Sequence, residues 1–213
     1  MTLTPALFPQ LIAAISATIA DHADAVTELD QAIGDGDHVV NLQRGLQALT
    51  AAATEISALP WPAAWQKIGM VLMAAVGGAS GSLYATLFIS LAKHSQTKPA
   101  DLSGFAETFS LGVDAVKQRG KADVGEKTML DVLGPVAVKL QAEALAGRTL
   151  PEIYPALLET AAAGVEATRD MLATKGRASF LGERSIGHID AGAKTAQLMI
   201  AAIIEVLQKQ LTI

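Results

Sequence analysis

The chain has 213 residues, 51% of them hydrophobic and 17% charged, which excludes a disordered chain and leaves room for a sizeable core. A net charge of −5, with no basic patch interleaved with aromatics, argues against a nucleic-acid partner, and the lack of cysteine excludes disulfides, thiolate metal sites and a thiol nucleophile. Aromatics are only 4% and the apolar residues are mostly Ala and Leu, a mixture that favours helix over strand.

Helical spacing begins at once. Thr4 and Pro5 open a first helix, on which Leu7, Leu11, Ile15 and Ile19 recur at every fourth position; it is predicted to run to about Leu29. A second starts near Asp37, whose side chain can cap it, and carries Leu42, Leu46 and Leu49. Pro62 opens a third, which passes Ile68 and Leu72 and stops at Gly77-Gly78. The fourth spans about Ser82 to Lys93, and Ser103 caps a fifth that ends at Gly120. A sixth, bent at Pro135, covers roughly Lys127 to Leu145. The seventh runs from about Pro151 to Gly176, and the eighth from Gly192 to Leu211. Trp61 and Trp65 read as a packing pair, Met70 and Met73 as helix core.

No strand-like alternation interrupts this pattern. Between Ile68 and Ala92 lie 25 residues without a charge, but Gly77 to Ser82 cuts them into halves too short to span a bilayer. The first residues lack the positive start of a secretory signal. The expectation is an all-α, single-domain cytoplasmic protein over 1–213, an antiparallel bundle or barrel of eight helices with no membrane contact. On that topology the polar loops 30–41, 77–82, 120–129 and 175–192 all emerge at one end, which argues for a single site there.

Asp30, Asp35 and Asp37 place three carboxylates within eight residues, separated by glycines. Crowded carboxylates repel one another and attract a cation, and oxygen donors of this kind suit Mg²⁺ or Ca²⁺. A capping, solvated acidic turn is the plain alternative. Gly77 to Gly81 can bring backbone N–H groups to a phosphate, with Ser80 as a hydroxyl donor, or can serve as a tight packing turn. No Walker A or Rossmann fingerprint exists. Arg177 or Arg184 can meet phosphate with a two-pronged contact, Asp190 can accept from a ribose hydroxyl or an adenine amine, and Met129 can cover a ring face. Lys121 and Lys127 read equally well as solvated helix-end charges.

Taken together, Ile33-Gly-Asp-Gly-Asp-His38, Gly77-Gly-Ala-Ser-Gly81, Arg119-Gly-Lys-Ala122 with Lys127-Thr-Met129, and Lys175-Gly-Arg-Ala-Ser179 through Gly187-His-Ile-Asp190 resemble the ADP-binding L subunits of bacterial, phosphotransferase-system-dependent dihydroxyacetone kinases. The resemblance covers essentially the whole chain, in order. It implies an antiparallel eight-helix barrel in which Asp30, Asp35 and Asp37 chelate two Mg²⁺ ions that hold ADP or ATP. It further implies that His38, Val39, Val40, Asn41, Ala79 and Ser80 meet the phosphates. Gly120, Met129, Arg177, Asp190, Ala191 and Gly192 then complete the nucleotide pocket. Ser82 and Ala191 stand where the family usually has proline, and both relax the backbone.

Such subunits work with a K subunit that binds dihydroxyacetone covalently through its own histidine, and with a phosphohistidine-bearing phosphotransferase subunit that recharges the ADP in place. No covalent nucleophile is then needed in this chain, whose loops leave no second pocket for a hydroxyketone. Three other readings compete: an ATP-dependent two-subunit kinase of a related triose or tetrose, a helical phosphohistidine carrier using His38, and a non-catalytic interaction module. A homodimer is left open.

Overall fold

The structure, a computed structural model, describes residues 3–211. Among the described residues it contains nine α-helices and no strand. They are α1 (Phe8–Asp21), α2 (Ala23–Ile33), α3 (His38–Ser57), α4 (Trp61–Ala75), α5 (Gly78–His94), α6 (Leu102–Gly120), α7 (Leu130–Leu145), α8 (Leu150–Ala167) and α9 (Ala191–Leu211). Short 3-10 turns occupy Pro5–Leu7, Thr168–Asp170 and Arg177–Ser185.

Each long helix packs on its chain neighbours, α3 on α4, α4 on α5, and so on to α8 on α9; α9 then closes on α1, and α1 on α3. The eight rods read from the sequence therefore form an antiparallel ring. Its interior is filled by residues such as Ile56, Ala85, Val116, Val132, Ile153 and Ala161, all buried, in one continuous apolar cluster. Small side chains recur there because a closed ring of helices has a narrow middle. Trp61 and Trp65 do pair, stacked with centroids 5.3 Å apart, at the end where α4 begins. Met70 and Met73 are not core: they are 58% and 48% exposed on the outer face of α4.

Five boundaries differ from the sequence expectation, and several of them shape the site. The first predicted helix breaks at His22, whose backbone leaves the helical region (φ −108°, ψ 11°) while its ring Nδ1 hydrogen-bonds the Thr18 carbonyl at 2.9 Å. The break sets α2 against α9 and the 177–185 turn, which brings Asp30 to the ring's end. The fourth helix starts at Gly78 rather than Ser82, so the small residues form its first turn and the connection shrinks to Val76 and Gly77. The fifth is capped by Asp101, which accepts from the Gly104 N–H at 2.8 Å, and Ser103 lies inside it. The seventh stops at Ala167, leaving residues 168–190 as a longer irregular segment. The sixth begins at Leu130 and continues through Pro135. No helix among the described residues is long and apolar enough to cross a membrane.

Candidate functional site

The ring's direction gives α3, α5, α7 and α9 a common end. His38, Gly78, Leu130 and Ala191, the first residues of those four helices, all line one cavity of about 430 Å³. All four helix starts turn the positive ends of their dipoles to this floor, and those of α3, α5 and α9 leave first-turn N–H groups unpaired, whereas at α7 the N–H groups of Leu130, Asp131 and Val132 are taken by Thr128 and Met129. The floor favours an anion. All four polar loops contribute to the wall, as their topology requires.

Negative charge of the protein's own enters from one side. Asp30 comes from the last turn of α2, and Asp35 and Asp37 from the loop that follows. One carboxylate oxygen of each lies within 4.8 Å of the others. Asp30 is held in place by the His38 backbone N–H, which donates to its Oδ2 at 3.1 Å. Glycine at position 34 keeps this arrangement, because a Cβ there would stand 2.8 Å from the Asp30 carbonyl oxygen and 2.2 Å from Asp30 Oδ1, displacing the carboxylate. Asp37 occupies the cap position of α3, yet its side chain makes no capping hydrogen bond, contrary to the role expected of it. Asp35 pairs with Arg177 at 3.0 Å. Three converging oxygen donors of which only one has a cationic partner fit a hard divalent cation.

The start of α5 faces this cluster. Gly77 packs against the buried Asn41, whose Oδ1 would be 2.5 Å from a Cβ placed there. Ala79 and Ser80 follow in the first helical turn and line the cavity. His38 is clamped at both ring nitrogens, with Ser80 Oγ 3.3 Å from Nδ1 and Thr195 Oγ1 2.9 Å from Nε2. Burial lowers its pKa and outweighs the opposing pull of Asp30, Asp37 and Asp35. A ring so engaged, beside three carboxylates, is poorly placed to carry a phosphoryl group. Val39 lies in the core and Val40 is 57% exposed; neither side chain lines the cavity, so any contact they make must come from the backbone.

The opposite wall is apolar. Met129, buried, joins Leu83 and Val116 beside Gly120 and Arg119 where α6 ends. Leu83 and Val116 escaped the sequence reading because they are ordinary helix residues, visible only once two helices meet. Asp190 is the cap of α9: its Oδ2 accepts from the Ala193 N–H at 2.6 Å, which leaves one carboxylate oxygen for other partners. Burial pushes its pKa up to about 7 against the effect of that hydrogen bond. Ala191 is buried and Gly192 lies against Asp190 and Met129. Arg177 stands at the rim, whereas Arg184 and Lys121 do not line the cavity.

Lys127 was the residue most badly placed by sequence. Its side chain is buried, and its Nζ donates to the carbonyls of Thr168, Arg169, Met171 and His188. Burial lowers its pKa, opposed chiefly by Asp190. The ammonium thus ties both ends of the 168–190 segment to the 120–129 loop. Glu126 adds a second tie, accepting from Thr174 Oγ1 at 2.9 Å. A small apolar contact of Ile33, Ala173 and Ala178 seats the same segment on α2. A cation at a helix end has no apolar spacing to betray it; the only available signal was the length of the segment it has to hold.

Residues 32–205 match the model of the DAK2 domain, which accounts for most of the chain and for all four loops except Asp30 and Gln31. The chain belongs to the DAK2 domain family. Its relatives include the ADP-binding subunit DhaL of PEP-dependent dihydroxyacetone kinase 1 from Listeria innocua, 38% identical over 88% of this chain and 89% of that protein. The corresponding DhaL of Escherichia coli K12 is also 38% identical, over 84% of this chain and 85% of its own length. Among solved structures, the dihydroxyacetone kinase from C. freundii in complex with AMP-PNP and Mg²⁺ superposes with a TM-score of 0.74 at 25% identity. That match covers 96% of this DAK2 chain and 34% of the longer kinase.

Proposed function

We propose that this chain is the nucleotide-carrying subunit of a dihydroxyacetone kinase, holding ADP or ATP by its phosphates at the shared end of α3, α5, α7 and α9. The observation that carries the reading is the pairing of opposites in one cavity: four helix starts that attract an anion, and three aspartates that repel one. A diphosphate bridged to the aspartates by Mg²⁺ satisfies both, and by resemblance two ions are held there. When bound, the ions neutralise the phosphoryl group in transfer. The chain's own residues then orient and enclose. Backbone N–H groups of Val39, Val40, Ala79 and Ser80 meet phosphate oxygens, while His38 and Asn41, whose own N–H groups are held by Asp30 and Asp37, border the phosphates with their side chains. Met129, Leu83 and Val116 offer the adenine an apolar face. Gly120 and the Asp190 to Gly192 turn close the pocket, and Arg177 exchanges Asp35 for phosphate.

The phosphoryl acceptor, dihydroxyacetone, is carried by a separate K subunit that docks on the open rim, where Phe180 is 83% exposed beside Arg177. A phosphohistidine-bearing phosphotransferase protein recharges the ADP. Calorimetry tests the reading directly: ADP should bind in Mg²⁺ and show no heat in EDTA, because the cluster then repels the diphosphate. Equal affinity without metal would remove the aspartates from the site.

A further inference from the structure

A line of polar contacts crosses the ring beneath the first turn of α5. Ser80 Oγ touches His38 Nδ1, and His38 Nε2 touches Thr195 Oγ1, so the starts of α5 and α3 are joined to α9. Thr195 is completely buried, and its hydroxyl donates to the Gly192 carbonyl at 3.1 Å. A hydroxyl has a single hydrogen. With that hydrogen on Gly192, Thr195 can only accept from His38, so Nε2 must carry the ring proton. Nδ1 is then the bare nitrogen, and the Ser80 hydroxyl is its donor. The polarity of the whole line is decided at Thr195, three residues from the Gly192 turn.

We propose that Thr195 is a positioning residue of the phosphate turn: it fixes His38 as the Nε2–H tautomer and so holds the Ser80 hydroxyl hydrogen on His38, away from the cavity. Ser80 then presents an oxygen lone pair to the cavity as an acceptor. Phosphate contact at this turn falls to the backbone N–H groups of Ala79 and Ser80, not to the hydroxyl. The consequence for the nucleotide rests on the function proposed above; the tautomer itself does not. Tyr84 Oη is buried next to Thr195 and has no hydrogen bond of ordinary geometry, so it can lend its own hydrogen to the second lone pair of Thr195 Oγ1 without disturbing the bond to Gly192.

Long-range proton–nitrogen correlation spectra of the ¹⁵N-labelled full chain in EDTA read the tautomer, with His38 assigned by its loss in His38→Gln. The wild type should show a bare Nδ1 and a protonated Nε2. Thr195→Val, isosteric but without the hydroxyl, should lose this pattern. Thr195→Ser should keep it, and so should Ser80→Ala, since control lies at the α9 end. In Mg²⁺, Thr195→Val should bind ADP roughly three- to tenfold more weakly, the size expected for one lost hydrogen bond, with Thr195→Ser restoring affinity. A wild-type ring protonated on Nδ1, or on both nitrogens, overturns the proposal. So does an unchanged tautomer in Thr195→Val. If that variant fails to fold, the wild-type and Ser80→Ala spectra decide alone. A wild type with the expected tautomer but no affinity for Mg-ADP would bring down the nucleotide reading and leave Thr195 assigned.

Discussion

Arg177 holds Asp35 across the mouth of the cavity, with side chains 71% and 38% exposed. An ion pair so open to solvent contributes little to stability. The same guanidinium against a phosphate, with water excluded and two parallel hydrogen bonds, is worth more. Arg177→Ala should therefore weaken ADP binding in Mg²⁺ by about 1.5–3 kcal/mol. The melting temperature of the unliganded chain should hardly move; a collapse there would make Arg177 structural. Asp190 is different, because burial raises its pKa from the ordinary 3.8 to about 7. The folded chain keeps a proton that the unfolded chain releases. The stability this provides is complete below about pH 4 and is lost as the pH climbs through about 7. Asparagine can still cap α9 and never ionises. In EDTA, the urea midpoint of Asp190→Asn should gain on that of the wild type as the pH rises across this window. A pH-independent difference would show that the carboxyl does not hold its proton.

Segment 168–190 has little apolar anchoring of its own and depends on Lys127. Lys127→Met keeps the aliphatic bulk but strands four carbonyls, at least one of them buried, and should cost roughly 2–4 kcal/mol in urea unfolding. It should also impair ADP binding, since Arg177 and Asp190 ride on that segment. Wild-type stability in the variant would show that the ammonium is incidental. The elements themselves were largely legible, because apolar residues every three or four positions mark a helix whatever its neighbours do. What was hidden lay at their ends. Gly77 to Gly81 reads as a loop since glycine is a poor helix former, yet it serves as a first turn where bare N–H groups and close approach to Asn41 are wanted. His22 carries no breaker signal, and its break comes from a side chain competing for a carbonyl. The three aspartates were evident from spacing alone. Their meeting with Leu83, Val116 and Thr195 depends on ring closure, which no local pattern records.

At the scale of the whole molecule, four helix starts gather around a cavity that nucleotide occupies in the proposed function. A second depression, around Pro135, Glu159 and Thr160, is more open to solvent. The isolated chain given Mg²⁺, ATP and dihydroxyacetone should therefore form no sugar phosphate, and adding a substrate-binding subunit should restore turnover. Phosphorylation by the chain alone would require an acceptor pocket not evident in the ring. The closure of α9 on α1 has one more implication. Gln210 and Gln10 touch through their side chains at 2.7 Å, at the end of the ring remote from the nucleotide. The helices thus follow one another round a closed circle, and their order is cyclic in space. A permuted chain, sewn together there and opened instead between α3 and α4, would keep every wall of the cavity. The seam lies where the protein has least to lose.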